Sequence, residues 1–98
     1  MRFYCINGTR LLTPKAFYAY TANLLISNLS WTPSSNLDAF AELLEGGFGK
    51  HDLNESIHIT WINMHKSREV LPARFLRDVI EILRETKHVT LEVKEFDP

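Results

Sequence analysis

Residues 56–63, SIHITWIN, decide the fold class because they contain the clearest strand pattern in the chain. Ile57, Ile59 and Trp61 occupy alternate positions, and a histidine, a threonine and an isoleucine complete the pattern. Alternation places the two sets on opposite faces of a strand, and β-branched and aromatic residues favour that conformation. We therefore predict a strand in this stretch.

Two other segments carry strand signals, one near each end of the chain. Residues 2–6 are mostly apolar or aromatic and stop at Asn7-Gly8, a common turn dipeptide. Residues 88–94 alternate Val89, Leu91 and Val93 with polar side chains, as half-buried strands do. These patterns predict a first and a third strand.

Helical segments fall between the predicted strands. Residues 14–25 follow Thr13, a suitable N-cap, and place Phe17, Tyr20 and Leu24 at helical spacing. Residues 72–87 repeat apolar side chains in the same way, and residues 63–71 can hold a further helical turn. Because strands separated by helices need crossover connections, we predict an α/β fold: a three-stranded parallel sheet with about four helices packed over it. Residues 1–98 form a single domain in this prediction.

The remaining helix lies in residues 34–47, SSNLDAFAELLEGG. We expect Ser35 to cap it, Asp38 to complete a capping box three residues later, and the two glycines to end it. Its charges are all acidic. At about 100° per residue, Glu42 lies about 40° to one side of Asp38 and Glu45 about 20° to the other. The three carboxylates therefore share one narrow row, the acidic stripe.

The acidic stripe has two interpretations. It is either a solvated helix face, with Asp38 balancing the positive end of the helix dipole, or a surface that binds a basic partner. Like charges at this spacing destabilise an isolated helix by a few tenths of a kcal/mol. Because the other helix positions are mostly apolar, the acidic face is the one left to meet water or a partner.

Composition and charge narrow the class of partner. The 98-residue chain is 45% hydrophobic, which is enough for one core without metals or disulfides. Its formal net charge of −1 hides an uneven distribution, since residues 36–56 carry five acids against the single Lys50. Phosphate backbones are held chiefly by Lys and Arg, so the pattern argues against direct binding of nucleic acid. It favours a basic protein partner.

The sequence gives no support for an enzyme or a cofactor protein. Cys5 is the only cysteine and lies in an apolar strand, so we expect a buried, inert thiol and a reducing, cytoplasmic location. The four histidines lack metal-ligand spacing, and GGFGK at residues 46–50 lacks the spacing of a phosphate-binding loop. No apolar run reaches about 20 residues, the length that spans a bilayer. We expect no catalytic residue, metal, cofactor or membrane segment.

Four short motifs mark the chain: CING at residues 5–8, NLDAF at 36–40, ITWIN at 59–63 and ILRETK at 82–87. In this order and spacing they resemble the barstar family of intracellular ribonuclease inhibitors over nearly the whole length, and NLDA is the most specific element. In that family, a loop and the helix that begins at NLDA cover the active site of a small secreted ribonuclease. Carboxylates on the helix take the place of RNA phosphates.

The resemblance implies which residues meet the partner. Asp38 matches the acid of NLDA that faces the nuclease, and Glu42 matches a later acid that enters the phosphate site. Ile82 and Glu85 match an apolar and an acidic position that touch the rim of the enzyme. We add Glu45 to the expected binding surface because it completes the acidic stripe.

The chain departs from the family pattern where the partner would sit. An aromatic pair and a glycine commonly precede NLDA, whereas Thr32 to Ser35 read TPSS here, with Trp31 the only nearby ring. Trp31 is either an aromatic anchor at the interface or a loop residue packed inward. Ala41 stands where a tryptophan is often found, and Glu42 is one methylene longer than the usual aspartate. We infer that the cognate nuclease differs from the family's best-known target.

These observations together predict a cytoplasmic inhibitor of a basic ribonuclease, an immunity protein or antitoxin of bacterial type that is monomeric when free. It would block the active site with its acidic helix. One alternative is a barstar-like interaction module that binds a basic partner without nuclease activity, and a third possibility is an undetected small enzyme. The acidic stripe alone does not separate the inhibitor from the interaction module.

Overall fold

The structure, a computed structural model, describes residues 1–26, 35–46, 52 and 55–96. Its elements follow the order β1 (Arg2–Asn7), α1 (Pro14–Leu25), α2 (Leu37–Glu45), β2 (Ile57–Ile62), α3 (Met64–Val70), α4 (Ala73–Glu85) and β3 (Val89–Val93). A 3-10 turn, Gly8–Arg10, follows β1 directly. The two long helices predicted from apolar spacing and the three predicted strands therefore lie within about two residues of their expected ends.

The three strands form one sheet in the order β1-β2-β3, and both pairs are parallel. In this register Trp61 of β2 lies between Ile6 of β1 and Val93 of β3. In the described residues, two α-helices lie between each pair of consecutive strands along the chain. The predicted class, an α/β fold with a three-stranded parallel sheet and four helices, is confirmed.

The core is built around Trp61, whose side chain is fully buried. The ring of Phe17 from α1 stacks on the indole at a centroid distance of 5.7 Å. Phe40 from α2 and Phe75 from α4 contact the same phenyl ring edge-on, at 5.1 and 5.6 Å. The indole N–H donates to the buried Ser67 hydroxyl at 3.1 Å, so the one polar atom of the tryptophan is satisfied. Three helices are thereby fixed to one face of the sheet.

The opposite face of the sheet is largely exposed. Tyr4 and Ile6 of β1 point toward the helices, while Phe3 and Cys5 alternate with them and are exposed. The expectation of a buried Cys5 thiol is therefore wrong. An apolar run such as residues 2–6 indicates a strand, but it does not show that only one of its faces is covered.

The buried side of α1 differs slightly from the spacing of Phe17, Tyr20 and Leu24. The fully buried residues are Phe17, Thr21 and Leu25, and the other two are half-buried. Thr21 is tolerated in the core because its hydroxyl donates to the carbonyl of Phe17 at 3.1 Å. The sequence pattern does not show that a polar side chain can be buried because its hydroxyl bonds to a carbonyl of its own helix.

Tyr20 ties α1 to the outer edge of β1. Its hydroxyl donates to the carbonyl of Cys5 and accepts the N–H of Asn7, both at 3.2 Å. An edge strand presents unpaired backbone groups on the side away from its neighbour. The phenol hydroxyl satisfies two of these groups and so caps part of the β1 edge.

The end of β1 packs tightly against the start of α3. A Cβ placed on Gly8 would lie 2.2 Å from the backbone oxygen of Asn63, which is too close for any side chain. Asn63 itself has φ of 55°, a left-handed conformation that asparagine tolerates better than most residues. Its amide donates to the Asn7 side-chain oxygen at 3.1 Å. The glycine of the predicted Asn7-Gly8 turn thus allows the end of β1 and the start of α3 to lie in close contact.

Candidate acidic interface on helix α2

Helix α2 begins at an asparagine cap. The side-chain oxygen of Asn36 accepts the N–H of Ala39 at 2.8 Å. The prediction that Ser35 caps the helix is therefore wrong, and the capping box of Ser35 with Asp38 does not form. Serine and asparagine are nearly equivalent caps, so cap preference alone does not distinguish these adjacent candidates. Ser35 is exposed and lies one residue before the cap.

Helix α2 ends at Gly46 and is held there by a distant histidine. Gly46 has φ of 97°, which a residue with a side chain rarely adopts, and its N–H donates to the carbonyl of Leu43 at 3.2 Å. His88, from the turn before β3, donates its Nε2–H to the carbonyl of Leu44 at 2.6 Å. A carbonyl can only accept, so Nε2 carries the proton. Both ends of α2 are consequently fixed by hydrogen bonds.

The acidic stripe and the buried face lie on opposite sides of α2. Phe40, Leu43 and Leu44 are buried in the core, whereas the three stripe carboxylates are on exposed residues. At about 100° per residue, the centre of the buried face lies about 190° from the centre of the stripe. Packing of the apolar side therefore directs Asp38, Glu42 and Glu45 toward solvent as one row.

No stripe carboxylate forms an ion pair with any residue that the structure describes. Glu55, which belongs to the same acidic segment of the sequence, behaves differently because it contacts Arg2 at 3.4 Å. A hydrogen bond with the Asp52 backbone, followed by the charge of Arg2, lowers the pKa of Glu55. Arg2 thus neutralises Glu55, whereas none of the cations that the structure describes neutralises the stripe.

The helix dipole favours only part of the stripe. Asp38 lies in the first turn, near the positive end of α2, where a carboxylate is stabilised. Glu45 is the last helical residue, and the last turn contains no basic residue to offset the negative end of the dipole. Glu42 and Glu45, three residues apart, also repel each other. The free helix would be more stable with a different charge at its C-terminal end.

The other predicted binding residues lie partly on neighbouring elements. Ala41 is half-buried beside the stripe, Ile82 is half-buried against the core, and Glu85 is exposed at the end of α4. Helices α2 and α4 contact each other, so the structure places these residues on adjacent helices. Trp31 and Thr32 lie outside the described residues.

The three described histidines each have a partner within the chain. His58 contacts the Glu92 carboxylate at 3.1 Å, His65 contacts the carbonyl of Glu95, and His88 contacts α2 as described above. Among the described residues, no cluster of three or more His, Cys, Asp or Glu side chains is suited to a metal ion. In the same part of the chain, no helix is both long and apolar enough to cross a bilayer.

The chain is thus a small α/β protein with a row of exposed carboxylates, unpaired with any cation in the described part of the chain, on a helix fixed at both ends. No protein-family profile matches its sequence, and no curated protein matches it significantly. The resemblance to the barstar family therefore stays a prediction that rests on the four sequence motifs.

Proposed function

We propose that this chain is a cytoplasmic inhibitor of a basic ribonuclease and that the acidic stripe occupies the phosphate-binding cleft of the enzyme. The observation that carries the proposal is the row of exposed carboxylates on α2 that no described cation of the chain neutralises. The resemblance of NLDAF and the other motifs to the barstar family points to the same function.

Inhibition of this kind needs no chemistry from the inhibitor. A nuclease site holds Arg, Lys and His side chains in positions that suit phosphate oxygens, so carboxylates at matching positions form charge-assisted hydrogen bonds with them. Helix α2 is rigid enough for this role because Asn36 caps its start while Gly46 and His88 hold its end. Little conformational entropy is then lost when the partner binds.

The three carboxylates would contribute unequally. Glu42 lies in the middle of the stripe and would be desolvated most, with Asp38 next and Glu45 at the rim. Removing one partner of a buried ion pair costs about 3–5 kcal/mol, whereas an exposed pair contributes about 0–1 kcal/mol. We therefore expect Glu42→Ala to raise Kd by at least about 100-fold, mainly through faster dissociation. Glu45→Ala would chiefly slow association.

The test begins with the immobilised chain and an extract of the source organism that contains its cytosolic and secreted proteins. Bound proteins are eluted with rising salt and assayed for RNA cleavage, and the free chain is then added back to the eluted nuclease. Glu69→Ala serves as the matched control, because Glu69 is an exposed carboxylate on α3, away from the stripe. The proposal requires a captured ribonuclease that the native chain and Glu69→Ala inhibit equally.

Two outcomes would contradict the proposal. Equal inhibition by Glu42→Ala and the native chain would refute the assignment of the stripe as the binding surface. Capture of a basic protein that cleaves no RNA and depends on Glu42 would favour the alternative, an interaction module for a partner that is not a nuclease.

A further inference from the structure

A groove between the end of α3 and the flank of α4, beside the buried face of α4, is the strongest remaining feature of the described chain. It encloses about 360 Å³ and is lined by Arg68, Ala73, Leu76, Arg77 and Ile80. Small-molecule sites usually enclose about 300–1,000 Å³, so this groove is at the small end of that range. None of its residues belongs to the acidic stripe.

The floor of the groove is apolar. The floor is formed by residues at helical spacing along α4, namely Ala73, Leu76 and Ile80. The methyl group of Ala73 is exposed. Leu76 is buried and Ile80 is half-buried, so the floor is part of the packed core and has a fixed shape. Such a surface suits an alkyl chain, because burying each methylene group there releases ordered water.

Two guanidinium groups flank this floor. Arg68 is held by Glu95, whose carboxylate accepts its Nε and Nη2 at 3.2 and 3.0 Å. Arg77 contacts the neighbouring Asp78 at 3.9 Å, which is too long for a hydrogen bond. Its side chain is 68% exposed, so its donors are open to a ligand. The groove thus combines an apolar floor with two cations: Arg68, which Glu95 holds by two hydrogen bonds, and the exposed Arg77, whose ion pair with Asp78 is long.

We propose that this groove binds a single-chain anionic amphiphile such as a fatty acid, with the carboxylate at Arg77 and the alkyl chain along Ala73, Leu76 and Ile80. Charge complementarity selects this occupant. A neutral apolar ligand would gain no charge-assisted hydrogen bond from the exposed Arg77 guanidinium, and a small polar anion would not use the floor. The proposal is independent of the proposed function, because it involves neither α2 nor its carboxylates.

Titration of the native chain with dodecanoate, below its micelle-forming concentration, tests the proposal by calorimetry and by amide chemical shifts. We expect saturable binding of one molecule per chain, with shifts confined to α3 and α4. Arg77→Gln weakens binding about fivefold, as expected for an exposed ion pair. Arg74→Gln is the matched control, because Arg74 lies on the same helix but does not line the groove, and it leaves Kd unchanged.

A second pair of measurements separates the groove from general detergent binding. Ala73→Phe fills the groove without removing any core side chain, and we expect it to abolish dodecanoate binding while the thermal unfolding midpoint stays near that of the native chain. Dodecyltrimethylammonium, which has the same tail and a cationic head, binds more weakly than dodecanoate. Equal binding of the two amphiphiles, equal Kd for Arg77→Gln and Arg74→Gln, or binding of phosphatidylglycerol vesicles without binding of dodecanoate would each overturn the proposal.

Discussion

Replacement of Glu45 by lysine should stabilise the free protein, because this residue occupies an electrostatically unfavourable position. Glu45 ends α2, where the last turn contains no basic residue, and no described cation pairs with it. Glu45→Lys exchanges an unfavourable interaction with the helix dipole for a favourable one, each worth about 0.3–1 kcal/mol. It also converts repulsion from Glu42 into an attraction, each about 0.2–0.5 kcal/mol.

The expected gain is about 1 kcal/mol in the free energy of unfolding, since solvent exposure places each contribution near its lower limit. For a domain of this size, that gain raises Tm by about 4–8 °C. Urea and thermal unfolding followed by circular dichroism at low salt measure it directly. Glu45→Gln removes only the unfavourable interactions and should give about half the effect. The gain should shrink at about 1 M salt, where the Debye length is about 3 Å.

Glu81→Gln in α4 is the matched control for the stripe. Glu81 is also an exposed carboxylate, but Arg77 and Arg84 stand four residues before it and three residues after it. Its removal should therefore bring no gain in stability. A loss of stability in Glu45→Lys, or a gain that is unchanged at high salt, would refute the reasoning that the stripe is electrostatically uncompensated.

Three further predictions concern the body of the fold. Gly8→Ala should lower the free energy of unfolding by about 1–3 kcal/mol in urea titrations, because a Cβ there would lie 2.2 Å from backbone oxygen. Ser67→Ala should cost about 1–3 kcal/mol, because it leaves the buried Trp61 indole N–H without an acceptor; equal stability of this variant and the native chain would contradict that role. The Arg68 guanidinium lowers the pKa of Glu95, so this carboxylate stabilises the folded state above its unfolded pKa. The stability difference between the native chain and Glu95→Gln should therefore be greatest at neutral pH and disappear as pH falls below about 4.

The sequence predicts the fold class well because its strand patterns and its main helices are locally consistent. Alternation in residues 56–63 identifies β2, and the buried residues Ile57, Ile59 and Trp61 are those that the alternation places together. Parallel pairing follows from the helices between strands, since a crossover connection is needed to bring consecutive strands into the same direction. These inferences require only periodicity and connection length.

Local sequence patterns do not predict structural details that depend on contacts with distant parts of the chain. Ser35 and Asn36 are adjacent and equally suitable caps, so cap preference does not choose between them, and the structure places the cap at Asn36. The exposure of Cys5 depends on which face of the sheet the helices cover. The hydrogen bond from His88 to α2 joins residues 44 positions apart, and no signal near either residue predicts it.

Only part of the candidate interface on α2 could be predicted from the sequence. The angular positions of the stripe residues require nothing beyond the helical repeat, and the structure places all three on exposed residues. That no cation within residues 1–26, 35–46, 52 and 55–96 pairs with them could not be predicted, because a sequence does not show which arginine side chains reach a given carboxylate. The same limit applies to the groove on α4, which depends on how α3 and α4 pack together.

The unequal connections between strands have a consequence for the folding pathway. Residues 8–56 separate β1 from β2, whereas residues 63–88 separate β2 from β3. Closing the longer connection costs about 0.6 kcal/mol more in chain entropy. We therefore expect the C-terminal half to nucleate folding, with high φ-values in β2 and β3 and low ones in β1. Helix α2 lies in the longer connection, so its acidic row would gain its final orientation only after the transition state, when the N-terminal strand joins the sheet.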